Sequence, residues 1–121
     1  LEGQLKYNYN IDFDARDIVG DAPSNLTDRN YGNRDVKGPD SGHGTHVAGI
    51  IAAVRGNGIG VDGVGGANIR IMSVRTVPNG DERDKDVANA IYYAVDNGAQ
   101  VINMSFGKGY SPYKGAVDAA V

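Results

Sequence analysis

Both histidines of this 121-residue chain fall in one short run, Gly42-His43-Gly44-Thr45-His46-Val47-Ala48-Gly49. Histidine is the side chain best suited to moving protons near neutral pH. The run stands where an irregular, glycine-rich approach gives way to helical patterning. Its glycines permit close backbone approach. Val47, Ala48, Ile50, Ile51 and Val54 then read as a helix over residues 42–55 that is buried on most of its surface. A buried helix with an imidazole at its N-terminal end is a platform for a fixed general base, and His43 is the candidate. Two packed, hydrogen-bonded core histidines are the plainer alternative, but that reading does not require the flanking glycines.

Other chemistries fit the residues less well. His43 and His46 are three apart, whereas the helix-borne H-E-x-x-H zinc pair needs four with a Glu between. With no cysteine and no third histidine, zinc is set aside. Gly58-Ile59-Gly60-Val61-Asp62-Gly63 spells the dinucleotide fingerprint, but it follows a helix and precedes a strand, the reverse of the required order. Asp12, Asp14, Asp17 and Asp21 lack the glycine spacing of an EF-hand loop and read as a solvated edge. Asn25-Leu26-Thr27 is a glycosylation sequon, with meaning only in a eukaryotic secretory protein.

The elements that must position these residues follow from pattern and punctuation. Residues 1–41 are polar and turn-rich, with one alternating stretch over 7–13 that predicts a strand and a long loop over 21–40. After the histidine helix comes a glycine-rich loop over 56–66. Residues 69–77 predict a strand and 78–81 a turn. Val87, Ile91, Ala94 and Val95 recur at helical spacing from Asp84, and Asn97-Gly98 ends that helix. Residues 100–105 predict a mostly apolar strand, and Ser111-Pro112 opens a last helix to Val121. This alternation implies an α/β fold, a parallel sheet flanked by helices joined by right-handed crossovers. At 121 residues the chain is at most one domain, and short for an α/β enzyme. A net charge of -3 argues against a nucleic-acid or polybasic membrane surface. No stretch is long and apolar enough to span a bilayer. The absence of cysteine leaves the redox compartment open.

The unbroken run from His43 to Ala53 resembles the histidine motif of the subtilisin-like serine proteases, or subtilases. On that resemblance His43 is the general base and His46 a structural neighbour. Val101-Ile102-Asn103-Met104-Ser105-Phe106-Gly107 resembles the family's strand leading into the substrate-binding wall. The resemblance implies that the backbone of Ser105, Phe106 and Gly107 pairs with an extended peptide and flanks the S1 pocket. This is strand addition, in which main-chain hydrogen bonds give affinity without sequence demands. Read alone, the segment is an ordinary buried strand. Asp84 and Val87 fall where the family's helix rims the S4 pocket. Asp84 also stands where an acid caps a helix, so capping is the alternative. Asn57, Ile59 and Val61 fall in a loop that, in subtilases, often wraps a structural calcium with backbone carbonyls. Here the loop is one residue longer than in the best-known members, and an ordinary loop is the alternative. The chemistry itself requires no cofactor.

The similarity covers residues 40–121, read as a partial catalytic domain over 42–121 behind an irregular, turn-rich segment over 1–41. A serine protease needs a nucleophile, a base and an orienting carboxylate. No serine here lies in the family's G-T-S-M-A context. Asp40-Ser41-Gly42 spells the triad aspartate triplet but abuts His43, and it reads as the loop entering the helix. The chain therefore supplies one triad member and reads as a piece of a longer protein. The expected parent is a serine endopeptidase acting on polypeptides, secreted or in the cell envelope by family resemblance, although no signal peptide is visible. The chain alone is expected to be inert and self-associating. The rival reading is a non-catalytic peptide-binding module or degenerate protease.

Overall fold

A computed structural model describes residues 2, 5, 6, 10, 12–14, 16–38, 40–77 and 82–121. The elements in chain order are α1 (Arg16–Val19), α2 (Gly42–Ala52), a 3-10 turn (Gly66–Asn68), α3 (Asp84–Asp96) and α4 (Lys114–Asp118). They fall in two compact units, Leu1–Arg34 with Val74–Val121, and Asp35–Ser73.

The core of the first unit is one face of α3. Val87, Ala88, Ile91 and Ala94 are buried, the stripe that a helical period places on one side. Asp84 and Asp86 lie in the first turn, where negative charge suits the positive end of the helix dipole. Gly98 adopts a left-handed φ of 86°. Its N–H bonds Val95 O at 2.9 Å and that of Ala99 bonds Ala94 O at 2.9 Å, a Schellman ending that satisfies the last carbonyls. α4 packs on α3, and the Tyr92 hydroxyl donates to Ala119 O at 3.1 Å.

The second unit is α2 and the glycine-rich loop that turns back on it. The N–H groups of Gly63, Val64 and Gly65 bond the carbonyls of Ala53, Ile50 and Ile51 at 2.8–3.0 Å. These carbonyls, at and just past the end of α2, would otherwise lack a partner. The approach is close enough to require glycine. A Cβ on Gly63 would lie 2.3 Å from Ala53 N, and one on Gly65 would lie 2.3 Å from Ile69 Cγ1.

The expected parallel sheet flanked by helices is not formed. Among the described residues there is no strand, only helix and coil. The segments 69–77 and 100–105 have the composition of strands. A strand exists only where a neighbour completes its ladder of backbone hydrogen bonds, and no such ladder forms here. Ile69, Ile71, Met72, Val101, Ile102 and Met104 accordingly stand exposed. Most of the strand expected over 7–13 and the whole turn over 78–81 lie outside the described residues. The helix expected over 42–55 forms but ends at Ala52, and none of its residues is buried. The final helix is shorter than expected, and α1 had no sequence signal.

Candidate active-site helix and peptide-binding segment

His43 is the second residue of α2, and its side chain is exposed. His46, one turn on, lies on the same side of the helix and is also exposed. Neither imidazole has a hydrogen-bond partner among the described residues. The start of α2 is fixed by Asp40, whose Oδ1 accepts the Gly42 N–H at 2.8 Å. The carboxylate of the Asp-Ser-Gly triplet thus serves the loop entering the helix, as the sequence implied.

In the other unit, Ser105, Phe106 and Gly107 form an exposed, irregular segment. Asn103 Nδ2 donates to Ser105 Oγ at 2.9 Å. The next residue anchors the segment. Lys108 Nζ donates to Glu82 O at 2.7 Å and pairs with Asp84 Oδ1 at 2.7 Å, with side chains 11% and 4% exposed. Ser111 Oγ donates to Asp84 Oδ1 at 2.8 Å, and the Tyr113 N–H donates to Asp84 Oδ2 at 2.7 Å. Burial pushes the Asp84 pKa up, but the Lys108 ammonium, the Tyr113 N–H and the Ser111 hydroxyl together hold it below the ordinary aspartate value. Asp84 therefore ties the first turn of α3 to the chain just past Gly107. The residue preceding the helix, Arg83, makes no side-chain cap. Val87 lies in the core beneath.

Sequence reasoning missed a second polar network on α3. Lys85 Nζ pairs with Asp21, donates to Ala22 O at 2.8 Å and lies 4.7 Å from the centroid of the Tyr31 ring. The Tyr31 hydroxyl donates to Asp86 Oδ1 at 2.5 Å and accepts from Asn89 Nδ2 at 2.9 Å. Burial, with the Asp86 carboxylate beside it, raises the Tyr31 pKa. Lys85, Asn89 and Tyr92 recur at i, i+4 and i+7, so they share the face that receives residues 21–31. Asp21, read as part of a solvated edge, is instead a buried ion-pair partner. Asp14 bonds Arg16, whose guanidinium holds the Asp14 pKa at about 2. The alternation of charge along 82–86 was the available signal, but its partners are about sixty residues away. A cavity of about 350 Å³ lies among Arg16, Asp21, Glu82, Asp84, Lys85 and Lys108.

The Asn57–Val61 loop offers oxygen donors only, the kind calcium takes. Its conformation rests on left-handed glycines at 56, 58 and 60. Asn57 Oδ1 accepts the Ile59 N–H at 2.9 Å, and the Asp62 carboxylate accepts the Gly56 N–H at 2.8 Å. The described residues hold no cluster of three His, Cys, Asp or Glu that could take a metal ion.

The family model described as the subtilase family matches residues 5–121. The chain belongs to the subtilase family. That match takes in most of the N-terminal segment, which motif reading left unassigned. This subtilase chain is 39% identical over 101 residues to the cell wall-associated protease of Bacillus subtilis (strain 168), covering 83% of this chain and 11% of the relative. It is 42% identical over 97 residues to the thermophilic serine proteinase of Bacillus sp. (strain AK1), covering 79% and 22%. It is 47% identical over 68 residues to thermitase of Thermoactinomyces vulgaris, covering 55% and 24%. The subtilase chain thus spans at most about a quarter of these curated relatives. No solved structure gives a significant match. Among the described residues no helix is long and apolar enough to cross a membrane.

Proposed function

We propose that this chain is the histidine-bearing part of a serine endopeptidase that hydrolyses peptide bonds through an acyl-enzyme. The observation that carries the reading is an exposed, unencumbered His43 at the start of α2, inside a subtilase match that spans nearly the whole chain. His43 takes the proton from a serine supplied by polypeptide outside this chain, then returns it to the leaving amine. The orienting carboxylate is likewise supplied by polypeptide outside this chain, a reading supported by the engagement of Asp40 with the Gly42 N–H at the helix start. The exposed backbone of Ser105, Phe106 and Gly107 takes up an extended polypeptide by strand addition. Asp84 and Val87 influence selectivity by fixing the backbone at Gly107 and the first turn of α3, a role supported by their burial and by the Lys108 pair. The chain alone is inert. The relatives named as cell wall-associated and extracellular support action outside the cytoplasm. A calcium ion held by Asn57 and the Ile59 and Val61 carbonyls would stiffen the 57–61 loop without entering the chemistry.

The test uses the full-length parent and this chain side by side, with a peptide substrate and a serine-directed fluorophosphonate. The parent should be labelled and turn over substrate. His43→Ala should abolish turnover, while His46→Ala should retain it. Labelling of the isolated chain, or a parent that binds peptide without labelling, would sink the reading. The second result would leave a peptide-binding module. For calcium, the thermal midpoint should rise with added calcium and fall with chelator, and Asn57→Ala should blunt both responses.

A further inference from the structure

We propose that Asn57 is a site of spontaneous deamidation and that Asn97, in the same Asn-Gly context, is protected. The inference is independent of the protease reading. In this reaction the backbone nitrogen of the following glycine attacks the asparagine Cγ. A new C–N bond closes a succinimide, the Cγ–Nδ2 bond breaks, and ammonia leaves carrying the glycine amide proton. Water then opens the ring to aspartate or isoaspartate. Glycine has no Cβ to obstruct ring closure.

Both asparagines are exposed, so access does not distinguish them. Their hydrogen bonds do. At Asn57 the Ile59 N–H donates to Oδ1 at 2.9 Å, which withdraws electron density from Cγ. The Asn57 Nδ2 leaving group and the Gly58 nitrogen have no hydrogen-bond partner among the described residues. Gly58 holds a left-handed φ of 71°, with nothing within 4 Å of its Cβ position. At Asn97 both reacting nitrogens are tied to the last turn of α3. Nδ2 donates to Tyr93 O at 2.8 Å, and Gly98 N donates to Val95 O at 2.9 Å. Ring closure at Asn97 must first break that ending, whereas at Asn57 it need only turn an exposed loop. Conversion would place a second carboxylate in the loop that carries Asp62 and, in the isoaspartyl product, would reroute the backbone through the side chain.

The experiment is timed incubation of the intact chain at mildly alkaline pH, with chelator present so that no cation shields the loop. Peptide mapping by mass spectrometry and isoaspartyl methyltransferase labelling then read each site. Asn57 should convert several-fold faster than Asn97 in native buffer, and the two rates should converge in concentrated urea. Gly58→Ala should slow Asn57 to the Asn97 rate. Equal rates in native buffer, or an intact Asn57 under conditions where the urea-treated chain converts, would overturn the proposal.

Discussion

At the scale of single residues, the strongest commitments are the buried charges at the start of α3. The side chains of Lys85 and Asp21 are 6% and 4% exposed. Removing one partner leaves the other buried and uncompensated, so Lys85→Met should cost about 3–5 kcal/mol in urea unfolding. Replacing both by apolar residues of similar size should recover most of that loss. A single-variant cost below about 1 kcal/mol would place the pair in the class of surface ion pairs. Asp84 sets an acid limb to stability. Its folded pKa lies below the ordinary 3.8, so its contribution is full above that value and is lost as the pH falls through the lower folded value. Asp84→Asn should flatten the fall in the thermal midpoint below pH 3.8. In the parent it should shift selectivity only through the backbone at Gly107, with no particular loss for basic residues across a P4 library, because the carboxylate already pairs with Lys108. A large, salt-sensitive loss confined to basic P4 residues, with the acid limb intact, would instead make Asp84 a direct reader of substrate.

At the scale of elements, α2 depends on a loop rather than on a buried face. None of its residues is buried, and the carbonyls around its end are satisfied by Gly63, Val64 and Gly65. Gly63→Ala would drive a methyl into the backbone at Ala52 and Ala53. The loop must then lift away, at a cost of about 1–3 kcal/mol. Amide exchange should show lost protection at Val64 and Gly65, with α3 unaffected. Unchanged protection at those amides would mean the close approach is not what holds the loop. Gly49→Ala makes a matched comparison, since nothing lies near its Cβ position and its φ is not left-handed. The contrast explains what the sequence could and could not convey. α3 was legible to within a residue, because its stripe, acidic first turn and Asn97-Gly98 ending all act locally. The extent and burial of α2 were misjudged, because apolar residues at helical spacing do not specify that a partner surface exists.

At the scale of the whole molecule, apolar segments with strand composition are left open. Val101 is 88% exposed, Met104 45% and Phe106 39%. Unpaired backbone beside apolar side chains invites pairing with another chain. Sedimentation over a wide concentration range should therefore show self-association, weakened by Val101→Lys. A monomer at every concentration would refute this. The sequence alone determined the family, through a histidine motif whose residue types and order are specific, and it determined α3, whose signals lie within a few residues of one another. Tertiary structure alone decided that residues 69–77 and 100–105 form no ladder, that Asp21 and Asp84 are buried ion-pair partners, and that Gly63 and Gly65 cannot carry a side chain. The reason is one of range: helix periodicity and capping act over about one turn, whereas a strand, a buried charge or a close backbone contact is defined by a neighbour that sequence distance does not reveal.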